Sequence, residues 1–490
     1  MLFSSYIFLI AFLPATLMGF YTLRSLGHRN ASITFLLCAS FVFYANWNIS
    51  HFALLIVSIA INFLNGRLVA EARGQTLRKT ALIMGITFNL SLIFWFKYFD
   101  FAASNVAALT GTSHTFYNLI LPLGISFFTF QQISYLVDCY KAGSYEKRAR
   151  DYALFVSFFP QLIAGPIVHH GYTRPQFNKL ASNKLNLDML PIGVMIFAMG
   201  LAKKTLIADP ISRGIDPIWA QAAMGEPISA ALSWTAMIGY SLQIYFDFSG
   251  YCDMAIGIAA MFGIRLPVNF NSPYKSRSII EFWHRWHITL SNFLRDYVYI
   301  PLGGNRGGEI FRLRNIFLTM LIGGIWHGAA WTFVIWGVMH AALIIINHAL
   351  RLWAPVFSNW HTPSATFIKR TATLFFVMVA WVFFRAADIG AANSVLSGLT
   401  TFSSDAAGTN AINPALFAVM AFGTILALFA PNSLDVAGYA EDLKKEFPRA
   451  GSPSIKILQP TPLSACATAI MLTGGLLVAW KPAVFIYYIF

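Results

Sequence analysis

The sequence predicts an all-α protein that crosses a membrane many times, and three observations carry this prediction. Apolar residues make up 57% of the 490 positions, whereas charged residues make up only 11%. A soluble globular domain carries about 25% charged residues, so this chain lacks the charge that a water-facing surface requires. Apolar stretches close to the ~20 residues that a membrane helix needs recur along the whole chain. The mean hydropathy of +0.61 agrees with this class.

The candidate spans follow one another along the chain, mostly with short connections. They are residues 5–23, 31–48, 52–69, 80–99, 119–137, 152–168, 189–207, 229–247, 249–263, 315–349, 371–386, 411–430 and 463–489. As a single helix, the run 315–349 would extend for about 50 Å, well beyond a hydrocarbon core of about 30 Å. We therefore expect this run to bend or split, most naturally at Gly323-Gly324.

The net charge of +14 is concentrated in short loops between apolar runs. The first three basic loops carry Arg24 and Arg29; Arg67, Arg73, Arg78 and Lys79; and Lys141, Lys147, Arg148 and Arg150. An excess of basic residues in short loops marks the cytoplasmic side, and all three loops fall there if the N-terminus lies outside. This pattern indicates topology and contact with anionic membrane lipid. No nucleic-acid partner is predicted, because basic and aromatic residues do not interleave as in single-strand binders. The first apolar run is expected to be a retained anchor, since no basic segment precedes it.

A single membrane domain is predicted, but residues 265–314 do not fit a simple span. This stretch combines many charged residues with the aromatic sequence Phe-Trp-His-Arg-Trp-His at 282–287. Charged or irregular backbone near a membrane is stable only where protein or a water-filled cavity surrounds it. The sequence therefore predicts short re-entrant or interfacial helices that line a central cavity.

Ionisable residues within apolar segments are candidates for function, because burying them without a partner is costly. His327 lies between Trp326 and Trp331, with glycines at 323, 324 and 328. A buried imidazole stays neutral and can accept a proton, and the glycines let a substrate or another backbone approach closely. The alternative is a core histidine bonded to a backbone carbonyl. His340 is about 220° farther around an ideal helix, so it shares a pocket with His327 only if the helix bends.

A second group of polar residues follows Glu281. His284 and His287 are predicted to share a helical face, and Ser291, Asn292 and Arg295 follow within the same amphipathic stretch. The spacing of the two histidines permits a metal site, but no carboxylate or cysteine cluster completes it, so no metal is predicted. The alternative is an aromatic belt at the membrane interface with snorkelling arginines.

A third group forms a polar stripe on an otherwise apolar helix. Gln243, Asp247 and Tyr251 are spaced four residues apart, which places them along one face. A buried Asp247 requires a cation or several hydrogen-bond donors. This pattern favours a structural polar network that orients a neighbour, such as a histidine or an arginine, over a catalytic role.

These motifs together resemble the bacterial membrane-bound O-acyltransferases, in particular the branch that acetylates alginate and other exported polysaccharides. The matching segments are Gly-Gly-Ile-Trp-His-Gly-Ala-Ala-Trp around His327, Phe-Trp-His-Arg-Trp-His-Ile-Thr-Leu-Ser, Gln-Ile-Tyr-Phe-Asp-Phe-Ser-Gly-Tyr, Pro122-Leu-Gly-Ile-Ser-Phe-Phe-Thr-Phe-Gln-Gln-Ile-Ser-Tyr, Phe159-Pro-Gln-Leu-Ile-Ala-Gly-Pro-Ile and Trp381-Val-Phe-Phe-Arg385. Their order and spacing fit across residues 1–390. The resemblance thus implies an acyltransferase core at 1–390, with further transmembrane helices and a connecting loop of the same domain at 391–490.

The resemblance implies a funnel-like helical bundle with a central tunnel. It also implies that His327 is the family's invariant histidine and that His287 is its second motif histidine. His327 would then act as a general base on an acceptor hydroxyl, while His287, Asn292 or Ser291 would polarise the acyl carbonyl. Arg295 and Trp331 would support the donor site. No Gly-x-Ser-x-Gly sequence is present for a covalent serine route.

The resemblance further implies that the protein lies in a bacterial inner membrane and acts together with partner proteins. An acyl thioester donor, acetyl-CoA, would enter from the cytoplasm, and no tightly bound cofactor is expected. Periplasmic acetyltransferase proteins would then pass the acetyl group to a polysaccharide acceptor. The alternatives are D-alanyl or peptidoglycan O-acyl transfer by a related member, or an acyl transporter or scaffold without chemistry of its own.

Overall fold

The computed structural model describes residues 1–112, 116–117, 119–182, 187–353, 362–401, 413–439 and 461–479, and the regular structure within these ranges is helical. The α-helices are α1 (Leu13–Ser25), α2 (Arg29–Ala45), α3 (Ile49–Glu71), α4 (Gln75–Ile93), α5 (Phe99–Thr110), α6 (Ile125–Ala142), α7 (Ala149–Ser157), α8 (Phe159–Leu162), α9 (His170–Ser182), α10 (Met189–Ala202), α11 (Asp209–Ala223), α12 (Ala230–Met261), α13 (Ile279–Trp283), α14 (Ile288–Leu294), α15 (Glu309–His327), α16 (Trp331–Trp353), α17 (Pro363–Arg385), α18 (Ile389–Gly398), α19 (Pro414–Phe429), α20 (Ser433–Val436) and α21 (Pro462–Val478). Wider π-helical turns occupy Ile7–Phe12, Phe94–Tyr98, Lys203–Ala208 and Arg295–Tyr299, and a 3₁₀ turn occupies Pro273–Lys275.

Side-chain caps determine where several of these helices begin. The Asn48 side chain accepts hydrogen bonds from the backbone N–H groups of Ser50 and His51 at the start of α3, at 2.9 and 3.0 Å. Ser278 accepts from the backbone N–H of Glu281 at 3.1 Å and so starts the short helix α13. Such caps accept hydrogen bonds from amide groups that have no partner within the helix. They matter most in a membrane protein, because little water is present to accept these bonds instead.

Six helical stretches among the described residues are long and apolar enough to cross a membrane. They are Ile7–Ser25, Ile49–Glu71, Gln75–Thr110, Met189–Ala223, Trp331–Leu352 and Pro363–Arg385. The predicted class is therefore confirmed, and the chain is an all-α, multi-pass membrane protein. Two predicted span boundaries are wrong. Residues 229–247 and 249–263 belong to one continuous helix, α12, and residues 152–168 contain the two short helices α7 and α8.

The chain folds into two compact units. The first comprises residues 1–197 and 254–267, and within it α3 and α4 are joined by a buried pair of amides. Asn89 donates to Asn62 at 2.7 Å, and Asn62 donates back at 3.3 Å. Paired amides of this kind hold membrane helices together, because neither side chain is left unsatisfied in an apolar medium.

The second unit comprises residues 198–253 and 268–490 and holds every predicted site residue. Short helices do occur in the charged stretch 265–314, namely α13 and α14, as predicted. The division at residue 390 and the central cavity stay predictions. Of the C-terminal region 391–490, residues 402–412, 440–460 and 480–490 lie outside the described residues.

The long apolar run 315–349 splits as predicted, but not at the predicted place. α15 ends at His327 and α16 begins at Trp331, so Gly323 and Gly324 lie inside α15. A Cβ atom on Gly324 would lie 2.5 Å from the Phe333 carbonyl oxygen and 2.9 Å from the Gly337 Cα atom. This glycine therefore permits the backbones of α15 and α16 to touch, rather than breaking the helix.

Candidate active site

His327 is the last residue of α15 and is only 4% exposed. The helix ends there because Gly328 adopts an extended conformation, with φ −163° and ψ 154°. The imidazole is enclosed by aromatic rings, whose centroids lie 4.9 Å away for Trp326, 5.0 Å for Trp336 and 5.1 Å for Phe384. Aromatic side chains therefore form much of the surroundings of this imidazole.

His287 lies between α13 and α14 and is fully buried. Its backbone has φ 43° and ψ 52°, a left-handed conformation that a non-glycine residue adopts only where its surroundings hold it. Because α13 ends at Trp283, His284 is exposed while His287 points inward. The prediction that these two histidines share a helical face is therefore wrong, since no continuous helix connects them.

Asn269 holds the His287 ring in one orientation. The Asn269 Oδ1 atom accepts hydrogen bonds from the backbone N–H of Thr289 at 3.2 Å and from its hydroxyl at 3.0 Å. The Asn269 amide nitrogen donates to the Cys252 Sγ atom at 3.3 Å. The amide orientation is thus determined, because a backbone N–H can only donate.

His287 must therefore donate from Nδ1 to the Asn269 Oδ1 atom, which lies 3.1 Å away. In the neutral ring this leaves the lone pair on Nε2. Burial lowers the pKa of His287 to about 3, so the ring is neutral near pH 7 and Nε2 is a hydrogen-bond acceptor. Sequence reasoning missed Asn269, and its only signal was its position in the charged stretch that does not span the membrane.

The other residues predicted near the donor lie on α14, just after it, or at the start of α16. The Ser291 hydroxyl donates to the Trp286 carbonyl oxygen at 3.4 Å, and Asn292 is half-buried. Arg295 forms a bidentate ion pair with its neighbour Asp296, in which Nε and Nη2 lie 2.7 and 2.9 Å from the two carboxylate oxygens. Trp331 opens α16 and is 54% exposed. Ser291 and Asn292 therefore lie in the short helix that follows His287, four and five residues after it.

The polar stripe on α12 is buried as predicted. Gln243, Asp247 and Tyr251 are 6%, 1% and 3% exposed, respectively. Asp247 receives its cation from Lys204, whose ammonium group lies 2.7 Å from one oxygen of Asp247 and 2.7 Å from one oxygen of Asp209.

Asp247 thus has a lysine as its cation, not a histidine or an arginine. This lysine stands in the pair Lys203-Lys204, which interrupts an apolar run. That interruption was the signal that sequence reasoning overlooked. These contacts support the structural interpretation of Asp247.

His340 lies in α16 and is fully buried. Its ring centroid is 4.6 Å from that of Trp336, whose ring also contacts His327. The two histidines thus pack on the same indole, because the chain breaks between α15 and α16 and the angle of a continuous helix does not apply. Among the described residues, no group of three or more His, Cys, Asp or Glu side chains is arranged to hold a metal ion.

Comparisons with known proteins identify the family of this chain. A family model described as the membrane-bound O-acyltransferase family matches residues 148–388, a segment that contains both His287 and His327. The chain is 42% identical over 426 residues to a peptidoglycan O-acetyltransferase of Helicobacter pylori, covering 81% of this chain and 80% of the relative. It is 37% identical over 482 residues to a probable alginate O-acetylase of Pseudomonas aeruginosa, covering 95% and 87%.

A third relative lies farther away. A teichoic acid D-alanyltransferase of Streptococcus thermophilus is 29% identical over 235 residues, which covers 46% of this chain and 57% of that protein. The two relatives named as O-acetyltransferase and O-acetylase are more similar and extend over most of the chain. The chain therefore belongs to the membrane-bound O-acyltransferase family and is a multi-pass membrane acyltransferase.

Proposed function

We propose that the protein moves an acetyl group from cytoplasmic acetyl-CoA across the bacterial inner membrane for O-acetylation of an exported polysaccharide such as alginate. The observation that carries this proposal is His327, a buried imidazole at the break between two apolar helices. The relatives named for alginate and peptidoglycan support acetyl as the acyl group. A transporter or scaffold without chemistry of its own requires no buried histidine in that position.

In this mechanism His327 takes the proton of an acceptor hydroxyl. The hydroxyl oxygen adds to the thioester carbonyl carbon, the carbon–sulfur bond breaks, and the thiolate of CoA leaves. The thiolate then takes up the proton that His327 had accepted, which restores the neutral base. General-base assistance contributes about 10²–10⁴-fold to such a step. His327 acts in its neutral form, in which one ring nitrogen presents the lone pair that accepts the proton.

His287 takes a different role from the one that the motif suggested. A carbonyl oxygen requires a donor, whereas the bond to Asn269 makes Nε2 of His287 an acceptor. His287 therefore accepts a hydrogen bond from the acceptor hydroxyl or from the donor's amide groups. Asn292 and Ser291 remain the proposed polar groups near the acyl carbonyl, with Arg295 and Trp331 supporting the donor site.

Deletion of the protein from its bacterium, followed by complementation, tests this function. We expect the deletion to remove acetyl esters from one extracytoplasmic glycan, measured as acetate released by mild alkali, and the intact chain to restore them. Inverted inner-membrane vesicles that contain the protein should release CoA thiol from acetyl-CoA. Unchanged ester content in every glycan fraction would overturn the proposal.

Peptidoglycan is a second candidate acceptor, because the relative named for it is 42% identical over most of the chain. The same experiment separates the two. Ester loss from purified peptidoglycan favours the cell wall, and ester loss from the soluble exported polysaccharide favours the first candidate. Either acceptor lies outside the cytoplasm, so we propose that periplasmic acetyltransferase partners complete the transfer.

The hydrogen bond between Asn269 and His287 predicts a change in pH dependence. Asn269→Asp keeps the acceptor but places a carboxylate beside Nδ1, which raises the pKa of His287 from its low value towards neutrality. Activity in this variant should be lost as the pH falls from about 8 to about 5, a range in which the parent ring stays neutral. The measurement is the rate of CoA thiol release across this range.

The matched control is Asn269→Leu, which removes the acceptor without adding charge. It leaves the buried N–H groups of His287 and Thr289 without their partner, at a cost of about 1–3 kcal/mol each. Its activity should therefore fall at every pH, without a new acidic limb. If Asn269→Asp showed the parent's pH profile, the orientation assigned to His287 would be incorrect.

A further inference from the structure

His340 lies in an aromatic enclosure within the second unit. Its ring stacks on Phe282 at 6.2 Å with an interplanar angle of 12°, and it meets Trp283 and Trp336 edge-on at 5.2 and 4.6 Å. The side chain is fully buried. The roles derived above for His327 and His287 do not involve it.

One hydrogen bond determines which nitrogen of His340 carries the proton. The indole Nε1–H of Trp283 donates to His340 Nδ1 at 3.3 Å. An indole nitrogen can only donate, so Nδ1 must present its lone pair. The proton of the neutral ring is therefore on Nε2, and the doubly protonated ring is incompatible with this contact. His340 is thus a fixed neutral donor, whereas His287 is held as an acceptor.

Two buried N–H groups on neighbouring rings, whose centroids lie 4.6 Å apart, have no acceptor in the described part of the chain. They are Nε2–H of His340 and Nε1–H of Trp336. A buried donor without a partner costs about 1–3 kcal/mol, and buried polar groups are paired in the great majority of cases. Two donors without an acceptor, carried by rings in contact, are complementary to an oxygen atom that carries lone pairs.

These donors lie close to His327, the proposed general base. The Trp336 ring contacts His327 at 5.0 Å and His340 at 4.6 Å, and Phe384 packs against both Trp336 and His327. The Trp336 indole, one of the two donors, therefore packs directly on the ring of the proposed base, and His340, the other donor, packs on the same indole. A carbonyl oxygen bound by the pair would belong to an acyl group close to that base.

We propose that His340, together with Trp336, donates hydrogen bonds to the carbonyl oxygen of the acyl donor. When the acceptor oxygen forms its bond to the carbonyl carbon, the C=O electron pair moves onto this oxygen. The two N–H groups stabilise the resulting negative charge until the pair returns and the thiolate is expelled. This inference rests on the proposed function, and it adds two donors on α16 to the α14 side chains proposed for the acyl carbonyl.

The test is His340→Phe in the full-length protein in membrane vesicles. Losing an oxyanion donor costs about 10²–10³-fold in kcat, whereas KM for acetyl-CoA should change by less than about threefold, since the charge develops only in the transition state. The position of the acidic limb of the pH profile should stay unchanged, because a neutral donor does not titrate. The measurement is CoA thiol release from acetyl-CoA at equal amounts of inserted protein.

His340→Gln is the matched variant, because its amide can accept from Trp283 and still donate. It should retain a larger share of the parental kcat than His340→Phe does. Trp336→Phe removes only the second donor and serves as an independent test if His340→Phe is not inserted, with the same expected loss in kcat and the same stable KM.

The outcomes separate the inference from the function that it rests on. Parental kcat in both His340→Phe and Trp336→Phe, with acetyl transfer intact in the parent, would overturn the inference alone. A loss that appears only in the amount of inserted protein, with normal kcat per molecule, would assign His340 a purely structural role and would also overturn it. No acetyl transfer by the parent would refute the proposed function, and the inference with it.

Discussion

A His327→Gln variant is expected to enter the membrane normally and to lose acyl transfer by about 10²–10⁴-fold. Glutamine is close in size to histidine and can occupy the site among Trp326, Trp336 and Phe384 without opening a cavity. Its amide has no useful basicity, so the proton of the acceptor hydroxyl has no destination. The loss should therefore appear in the chemical step rather than in folding.

Two measurements decide this prediction. Detergent-solubilised protein should elute as the parent does on size exclusion, while acetyl esters in the bacterium and CoA thiol release in vesicles should both fall to background. The matched control is His348→Gln, a half-buried histidine on α16 with no part in the proposed chemistry. An inserted His327→Gln protein that restored normal acetylation would refute the base assignment and would favour a recruiting role.

Lys204→Met is expected to have the largest effect on stability. The ammonium group of Lys204 pairs with Asp209 and Asp247 at 2.7 Å each, and the three side chains are 6%, 3% and 2% exposed. Removing the only cation of this triad leaves two buried carboxylates beside each other. Breaking a buried pair costs about 3–5 kcal/mol, which is a large part of the stability of most proteins. We expect a strongly lowered unfolding temperature and little inserted protein.

The comparison that tests this explanation removes all three charges at once. Lys204→Met combined with Asp209→Asn and Asp247→Asn should recover much of the lost stability, because no uncompensated charge then remains. Lys79→Met changes an exposed lysine and should stay within about 0.5 kcal/mol of the parent. If Lys204→Met unfolded at the parental temperature, the triad would not stabilise this unit.

The sequence predicted the parts of this protein that depend on composition and local pattern. The membrane class followed from the low charge and the recurring apolar runs. The split of 315–349 followed from its length alone, and the need of Asp247 for a cation or several hydrogen-bond donors followed from the cost of a lone carboxylate. His287 and His327 were selected as site residues by motif, and both are buried in the same unit.

The tertiary structure decided what depends on contacts between distant segments. The sequence suggested that Gly324 breaks the helix. Its actual role is a close contact with Gly337, which lies on a different helix and so cannot be read from the local sequence. The spacing of His284 and His287 predicted that they share a helical face. The prediction failed because the local sequence does not show that α13 ends at Trp283. Lys204 and Asp247 pair across 43 residues, a separation that helical periodicity cannot connect.

The positions of the protons on the histidine rings also depend on contacts between distant segments. Asn269 makes Nε2 of His287 an acceptor, and Trp283 makes Nε2 of His340 a donor, although the two imidazoles are chemically identical. The sequence by itself determined a membrane acyltransferase with buried histidines, since low charge and motif spacing are local properties. Only the tertiary structure decided what each ring can do, because a neutral imidazole takes its tautomer from the partner that packing brings to it.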